Sequence, residues 1–253
     1  MSSPKPTIVL APGAWHLANC YDDLRQELHS RGWKTDSVDY PSVGAEPPTI
    51  GLDEDAAAVR NVLQRLADDG EQIVLAVHSY GGLVGANAVK GLGYRQRREQ
   101  GLPGGVIMYV YMAAFVAPVG MSITQMLGGQ YLPWMKLEDG RVHAENPGEI
   151  FYHDVSGQTL TKSLDRLKHQ SAPIFDGVVT NEPWHDIATM YFFCTEDKAI
   201  PIAVQEGMAE QLGPDALHYR CNASHSPFLS KVDDTVKGLE YAAEEGVKRV
   251  NQA

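Results

Sequence analysis

Residues 72–84 read QIVLAVHSYGGLV. Ile73 to Val77 is a short continuous apolar run rich in β-branched side chains, the pattern of a strand buried on both faces. Gly81 and Gly82 follow at once, and Leu83, Val84, Ala86, Ala88 and Val89 then recur at helical spacing. Ser79 stands between strand and helix. On so sharp a turn the hydroxyl is pushed out of the sheet, and the backbone N–H of Tyr80 faces the same side, the arrangement of a nucleophile elbow. The usual pattern is Gly-x-Ser-x-Gly. This chain has Val77-His78-Ser79-Tyr80-Gly81, with valine in place of the first glycine.

Working outward, the chain repeats the strand–helix unit. Strands are expected at 7–10, 33–39, 105–113, 187–194 and 216–221. Helices are expected at 21–31, capped by Asn19, and at 52–67, 202–212 and 233–250. This alternation predicts an α/β fold, a mainly parallel sheet of about six strands covered by helices on both faces, in one domain over residues 1–253. Ligands of such sheets sit at the carboxyl ends of the strands. Residues 115–186 break the alternation with scattered glycine and proline, and are expected to be an insertion that forms a lid. The arginine-bearing run 94–101 reads as a solvated loop. Gly91-Leu92-Gly93 lacks the further glycine and the preceding strand of a dinucleotide fingerprint.

The 253 residues, 43% of them hydrophobic, are ample for one large core. The formal charge of −11 argues against nucleic acid and anionic membrane surfaces as partners. Cys20, Cys194 and Cys221 form no CxxC pair and read as free thiols in a reducing compartment. The N-terminus has no signal-peptide apolar core, and no stretch approaches membrane-spanning length. The expectation is a cytoplasmic protein, monomer or homodimer, acting on a small molecule. No paired metal-ligand spacing occurs among the histidines, so neither metal nor organic cofactor is expected.

The elbow resembles that of the α/β-hydrolase superfamily, whose chain order is Ser, then Asp or Glu, then His. A serine hydroxyl needs a base in reach, and the base needs a carboxylate to fix its tautomer. Thr195-Glu196-Asp197-Lys198-Ala199-Ile200-Pro201 follows one late strand, and Cys221-Asn222-Ala223-Ser224-His225-Ser226-Pro227-Phe228 follows the last. Asp197 is the expected acid, with Glu196 as the alternative, and His225 the expected base. His78 is expected to pack or hydrogen-bond locally, and His16, His143, His153, His169 and His185 to be structural.

The Asp-x-x-Ile-Pro segment is similar to the acid loop of the plant methylesterase and hydroxynitrile lyase group. The His-Ser-Tyr-Gly-Gly and Ala-Ser-His-Ser-Pro-Phe segments look like a fungal and bacterial group of small α/β-hydrolases, some tied to secondary metabolism. The likeness extends to Pro12-Gly13-Ala14-Trp15-His16 and to residues 41–48, PSVGAEPP. It implies an oxyanion hole made by the backbone N–H groups of Ala14 and Tyr80. The aromatics Tyr131 and Trp134 of the expected lid, with Trp15 and Phe115 nearer the expected site, are expected to line an apolar substrate pocket. The implied activity is cleavage of a small, largely apolar ester, thioester or lactone through an acyl-enzyme on Ser79. Two alternatives stay open: lyase or carbon–carbon bond chemistry on the same triad, and a small-molecule binding protein. Cyanohydrin cleavage is disfavoured, because the lyases' Thr after the first strand and Lys near the histidine are both missing.

Overall fold

A computed structural model describes residues 5–252. Its main sheet has six strands, all parallel: β1 (Thr7–Ala11), β2 (Thr35–Ser37), β3 (Gln72–His78), β4 (Gly105–Met112), β8 (Thr189–Cys194) and β9 (Leu217–Cys221), in the order β2-β1-β3-β4-β8-β9. β4 and β8 are buried along their whole length, and β3 from Ile73 onward, which is why their sequences run apolar without alternating. The edge strand β9 instead alternates between partly buried and exposed residues until Cys221.

The pleat divides the core in two. Val9, Ala11, Leu75 and Val77 face one cluster, packed by helices α2 (Leu52–Asp68) and α3 (Gly81–Ala88). Ile8, Leu10, Val74 and Ala76 face the other, packed by α1 (Asp22–Ser30) and the terminal helix Val232–Gln252. β3 lies directly beside β1, with Val77 opposite Ala11, so the loop after β1 and the turn after β3 meet at one end of the sheet.

Residues 115–186 carry a second, antiparallel sheet of β5 (Met135–Glu138), β6 (Arg141–Ala144) and β7 (Gln170–Ser171), with short helical pieces between. Two local expectations are corrected. The run after Gly93 is a helix, Tyr94–Glu99, and not a loop. Its Arg97 is buried, where Nη2 reaches Asp68 at 2.7 Å and Nε donates to the Pro103 carbonyl at 2.9 Å. A charged run becomes an anchored helix when one of its charges is buried and paired, here with the exposed Asp68 carboxylate. Asn19 does not cap α1; it lies inside a 3₁₀ turn, Ala18–Tyr21, that leads into the helix.

Candidate active site

Ser79 ends the most central apolar strand with φ of 53°, in the left-handed region that a non-glycine residue occupies only under strain. The turn brings α3 back against the sheet. The valine at 77 is accommodated from the helix side: a Cβ built on Gly85 would lie 2.6 Å from Val77 Cγ1. The space usually left by a glycine on the strand is here left by a glycine on the helix. Gly13 has a similar role on the neighbouring loop, where a Cβ would come within 2.9 Å of both Ser79 Cβ and His78 Nδ1.

Asp197 and His225 follow β8 and β9, at the same end of the sheet as Ser79. His225 Nδ1 lies 2.7 Å from Asp197 Oδ2, and both side chains are almost fully buried. A carboxylate partner makes Nδ1 the N–H, which leaves Nε2 as the free acceptor. Asp197 also accepts the N–H groups of Ala199 at 2.7 Å and Ile200 at 2.9 Å, and Gln205 Nε2 at 3.2 Å. Four donors thus hold this carboxylate in place. Glu196 is exposed and meets only the Thr195 hydroxyl. Ser79 Oγ makes no hydrogen bond among the described residues.

His78 links the serine and histidine loops. Its Nε2 donates to the His225 carbonyl at 2.7 Å, and its ring lies 4.5 Å from the His225 ring, centroid to centroid. His16 stands on its other side at 6.3 Å. His16 Nδ1 donates to the Ala14 carbonyl at 2.7 Å, so Nε2 accepts from the Tyr152 hydroxyl at 2.6 Å. Burial pushes the His16 imidazole down to about 4 and the His78 imidazole well below its usual value. Both are therefore neutral neighbours of His225. His143 and His169 pack against each other away from these groups, and His185 pairs with Glu182. His153 has no such role, but its neighbour Asp154 ties down the histidine loop by accepting Ser224 N–H at 2.9 Å and the Ser230 hydroxyl at 2.8 Å.

Ala14 and Tyr80 place backbone N–H groups beside Ser79, and neither N–H is bonded to an acceptor among the described residues. The next N–H, that of Trp15, is taken by Gln170 Oε1 at 3.0 Å. Ser79, Ala14 and Tyr80 line a cavity of about 350 Å³ walled by Trp15, Phe115, Trp134 and Phe175, with Ile123, Leu127, Leu132 and Met135 from the segment after β4. Lys198 is the one charged residue on its wall, and it pairs with Glu149. Tyr131 is not on this wall; its ring packs edge-on against Phe175 at 5.4 Å, one layer behind. Gln205, Gln170 and Asp154 had no signal in the sequence, being single polar residues whose partners lie in other elements. Among the described residues no group of three or more His, Cys, Asp or Glu is placed to hold a metal ion, and no helix is long and apolar enough to cross a membrane.

Residues 8–237 match the model of the alpha/beta hydrolase family. The chain belongs to that family. It is 29% identical over 249 residues to the alpha/beta hydrolase nvfD of Aspergillus novofumigatus, covering 96% of this chain and 99% of that one. It is 25% identical to the probable hydrolase R7 of a Phoma species, covering 88% and 92% of the two chains. Among solved structures, a pyrethroid hydrolase from Sphingobium faniae superposes with a TM-score of 0.73 at 23% identity, over 94% of this chain and 97% of that one. Polyneuridine aldehyde esterase shares the fold as well, with a TM-score of 0.74 at 20% identity over 93% of this chain and 98% of that one.

Proposed function

We propose that the protein is a serine hydrolase that cleaves a small, largely apolar carboxylic ester, thioester or lactone. The observation that carries this reading is the placement of Ser79. It is held at a positive φ on the strand-to-helix turn, and it opens into an apolar cavity between two unoccupied backbone donors. A strained turn is a device for presenting one side chain to a site.

In this mechanism Ser79 Oγ attacks the substrate carbonyl while His225 Nε2 takes its proton. Asp197 holds the imidazole through Nδ1 and stabilises the imidazolium that forms. The N–H groups of Ala14 and Tyr80 bind the oxyanion. His225 then returns the proton to the leaving alcohol or thiol, and water releases the acyl group by the same steps in reverse. The bond broken is the acyl C–O or C–S bond, and no redox change occurs. Neutral His16 and His78 add no positive charge that would oppose protonation of His225.

Residues 115–186 act as the lid of this site. They supply the apolar roof, and Glu149 joins that roof to Lys198 at the rim. The cavity wall favours an apolar acyl or alcohol group, with Trp15, Phe115 and Trp134 as contact surfaces. The test is intact mass after treatment with an alkyl fluorophosphonate. One adduct on wild type and none on Ser79→Ala supports the reading. A folded wild type that takes no adduct, or a Ser79→Ala variant that still takes one, removes it.

A further inference from the structure

Both proposed oxyanion donors are tied to a single buried carboxylate that lies outside the triad. Asp55, in the first turn of α2, is fully buried. It accepts the Ser42 N–H at 3.0 Å, the Ser42 hydroxyl at 2.5 Å and the Tyr80 hydroxyl at 2.8 Å. The Ser42 hydroxyl in turn accepts Gln170 Nε2 at 2.6 Å, and Gln170 Oε1 accepts the Trp15 N–H at 3.0 Å. Ser42 and Gln170 are both fully buried. Three separated segments, the loop before α2, strand β7 and the loop after β1, are thereby joined into one chain of bonds.

The chain has a direction. The Trp15 N–H is a fixed backbone donor, so the Gln170 oxygen must face it and the Gln170 amide nitrogen must face Ser42. Ser42 then has only its own proton to give, and gives it to Asp55. The Tyr80 hydroxyl points its proton at the same oxygen. Every donor leads to Asp55, which serves only as acceptor. Burial raises this carboxyl to about 6, against the pull of its hydrogen bonds from Ser42 and Tyr80.

The two ends of the chain are the two walls of the oxyanion site. Trp15 has φ of 68°, a conformation held by its N–H on Gln170, its carbonyl on Lys168 N–H at 3.2 Å and its indole N–H on the Val142 carbonyl at 2.8 Å. Fixing that N–H on Gln170 leaves the preceding one, on Ala14, for the substrate. At the other end the buried Tyr80 ring is pinned by its hydroxyl, and the Tyr80 N–H is the second donor.

We infer that Asp55, Ser42 and Gln170 are positioning residues that set the spacing of the Ala14 and Tyr80 N–H groups, and so govern acylation of Ser79. The inference rests on the serine-hydrolase reading above. Loss of the chain loosens the oxyanion site while every triad residue stays in place and the wall residue Trp15 keeps its bonds to Lys168 and Val142.

The test uses p-nitrophenyl butyrate turnover and the rate of Ser79 phosphonylation by an alkyl fluorophosphonate, in wild type, Gln170→Met, Asp55→Asn, Ser42→Ala and Ser42→Thr. Gln170→Met keeps the length of the side chain and removes both of its bonds. The expected result is a fall in kcat of about 10- to 100-fold with KM held within about threefold, since small misplacement of oxyanion donors acts on the transition state. Phosphonylation should slow by the same factor. Ser42→Thr, which keeps the hydroxyl, should recover most of the loss seen in Ser42→Ala. Folding is checked by near-ultraviolet circular dichroism; if Asp55→Asn does not fold, Gln170→Met, which strands no charge, decides. Folded variants with wild-type kcat and phosphonylation overturn the inference alone. A wild type that is not phosphonylated at Ser79 overturns the reading beneath it.

Discussion

Replacing His16 with glutamine should remove about 3 kcal/mol of the protein's loss of stability in acid. His16 is 5% exposed and its imidazole is pushed from the ordinary 6.5 down to about 4, chiefly by burial and further by the nearby His225 ring. In the unfolded chain the same group protonates near its ordinary value. The sign follows from that difference. Between about pH 6.5 and about pH 4 the unfolded state binds a proton that the folded state refuses, so the stability present above pH 6.5 is lost as the pH falls. A shift of some two and a half units at about 1.4 kcal/mol each amounts to about 3 kcal/mol. Glutamine stays neutral throughout and offers a donor and an acceptor for Ala14 and Tyr152. Urea unfolding followed by tryptophan fluorescence, repeated between about pH 7 and about pH 4, gives the unfolding free energy of both proteins. The wild type should lose about 3 kcal/mol more than His16→Gln over that range. Parallel curves, whatever their constant offset, would refute the argument and show that His16 takes up its proton in the folded state.

Three further outcomes follow from the geometry. Ser79→Gly should be more stable to urea unfolding than Ser79→Ala by about 1 kcal/mol, because glycine relieves the positive φ at 79 while giving back part of that gain in unfolded-chain entropy; equal stabilities would mean that the turn is unstrained. Asp197→Asn should lower ester turnover by about 10⁴-fold through the wrong His225 tautomer, while the exposed Glu196→Gln should stay within about twofold; the reverse ranking in steady-state kinetics would move the acid to Glu196. Gly82→Ala should cost about 3 kcal/mol in urea unfolding, since its Cβ would fall 2.0 Å from the rigid Phe115 carbonyl oxygen.

The architecture could be read from the sequence wherever burial is continuous. Ile73 to Val77, residues 105–112 and residues 189–194 are covered on both faces, so their composition alone marks them as strands. Ser79 and Asp197 stood out because each lies just past such a strand, and His225 because it follows the last strand, the alternating edge strand β9. Where one residue's partner decides the outcome, the chain is opaque. The segment 94–99 has the charge pattern of a loop until Arg97 meets Asp68. Asp55 reads as one more acidic residue in a helical first turn, and Gln170 as a polar residue in an irregular stretch. Their meaning lies in a bond from Gln170 to Ser42, 128 positions apart, and one from Gln170 to Trp15, 155 positions apart. Tyr131 shows the converse limit: a nearby aromatic can brace a pocket wall without reaching the pocket.

Val77 and Gly85 have a consequence for how such sites are recognised. The familiar five-letter signature records a requirement for clearance between a strand and the helix that recoils from it. Here that clearance is supplied eight positions later, by a residue outside the signature. A search that matches consecutive letters rejects this turn, whereas one that asks whether either backbone surface is bare accepts it. Surveys built on the letters alone will undercount turns of this kind, and the missing members will be those whose helix, rather than strand, gave way.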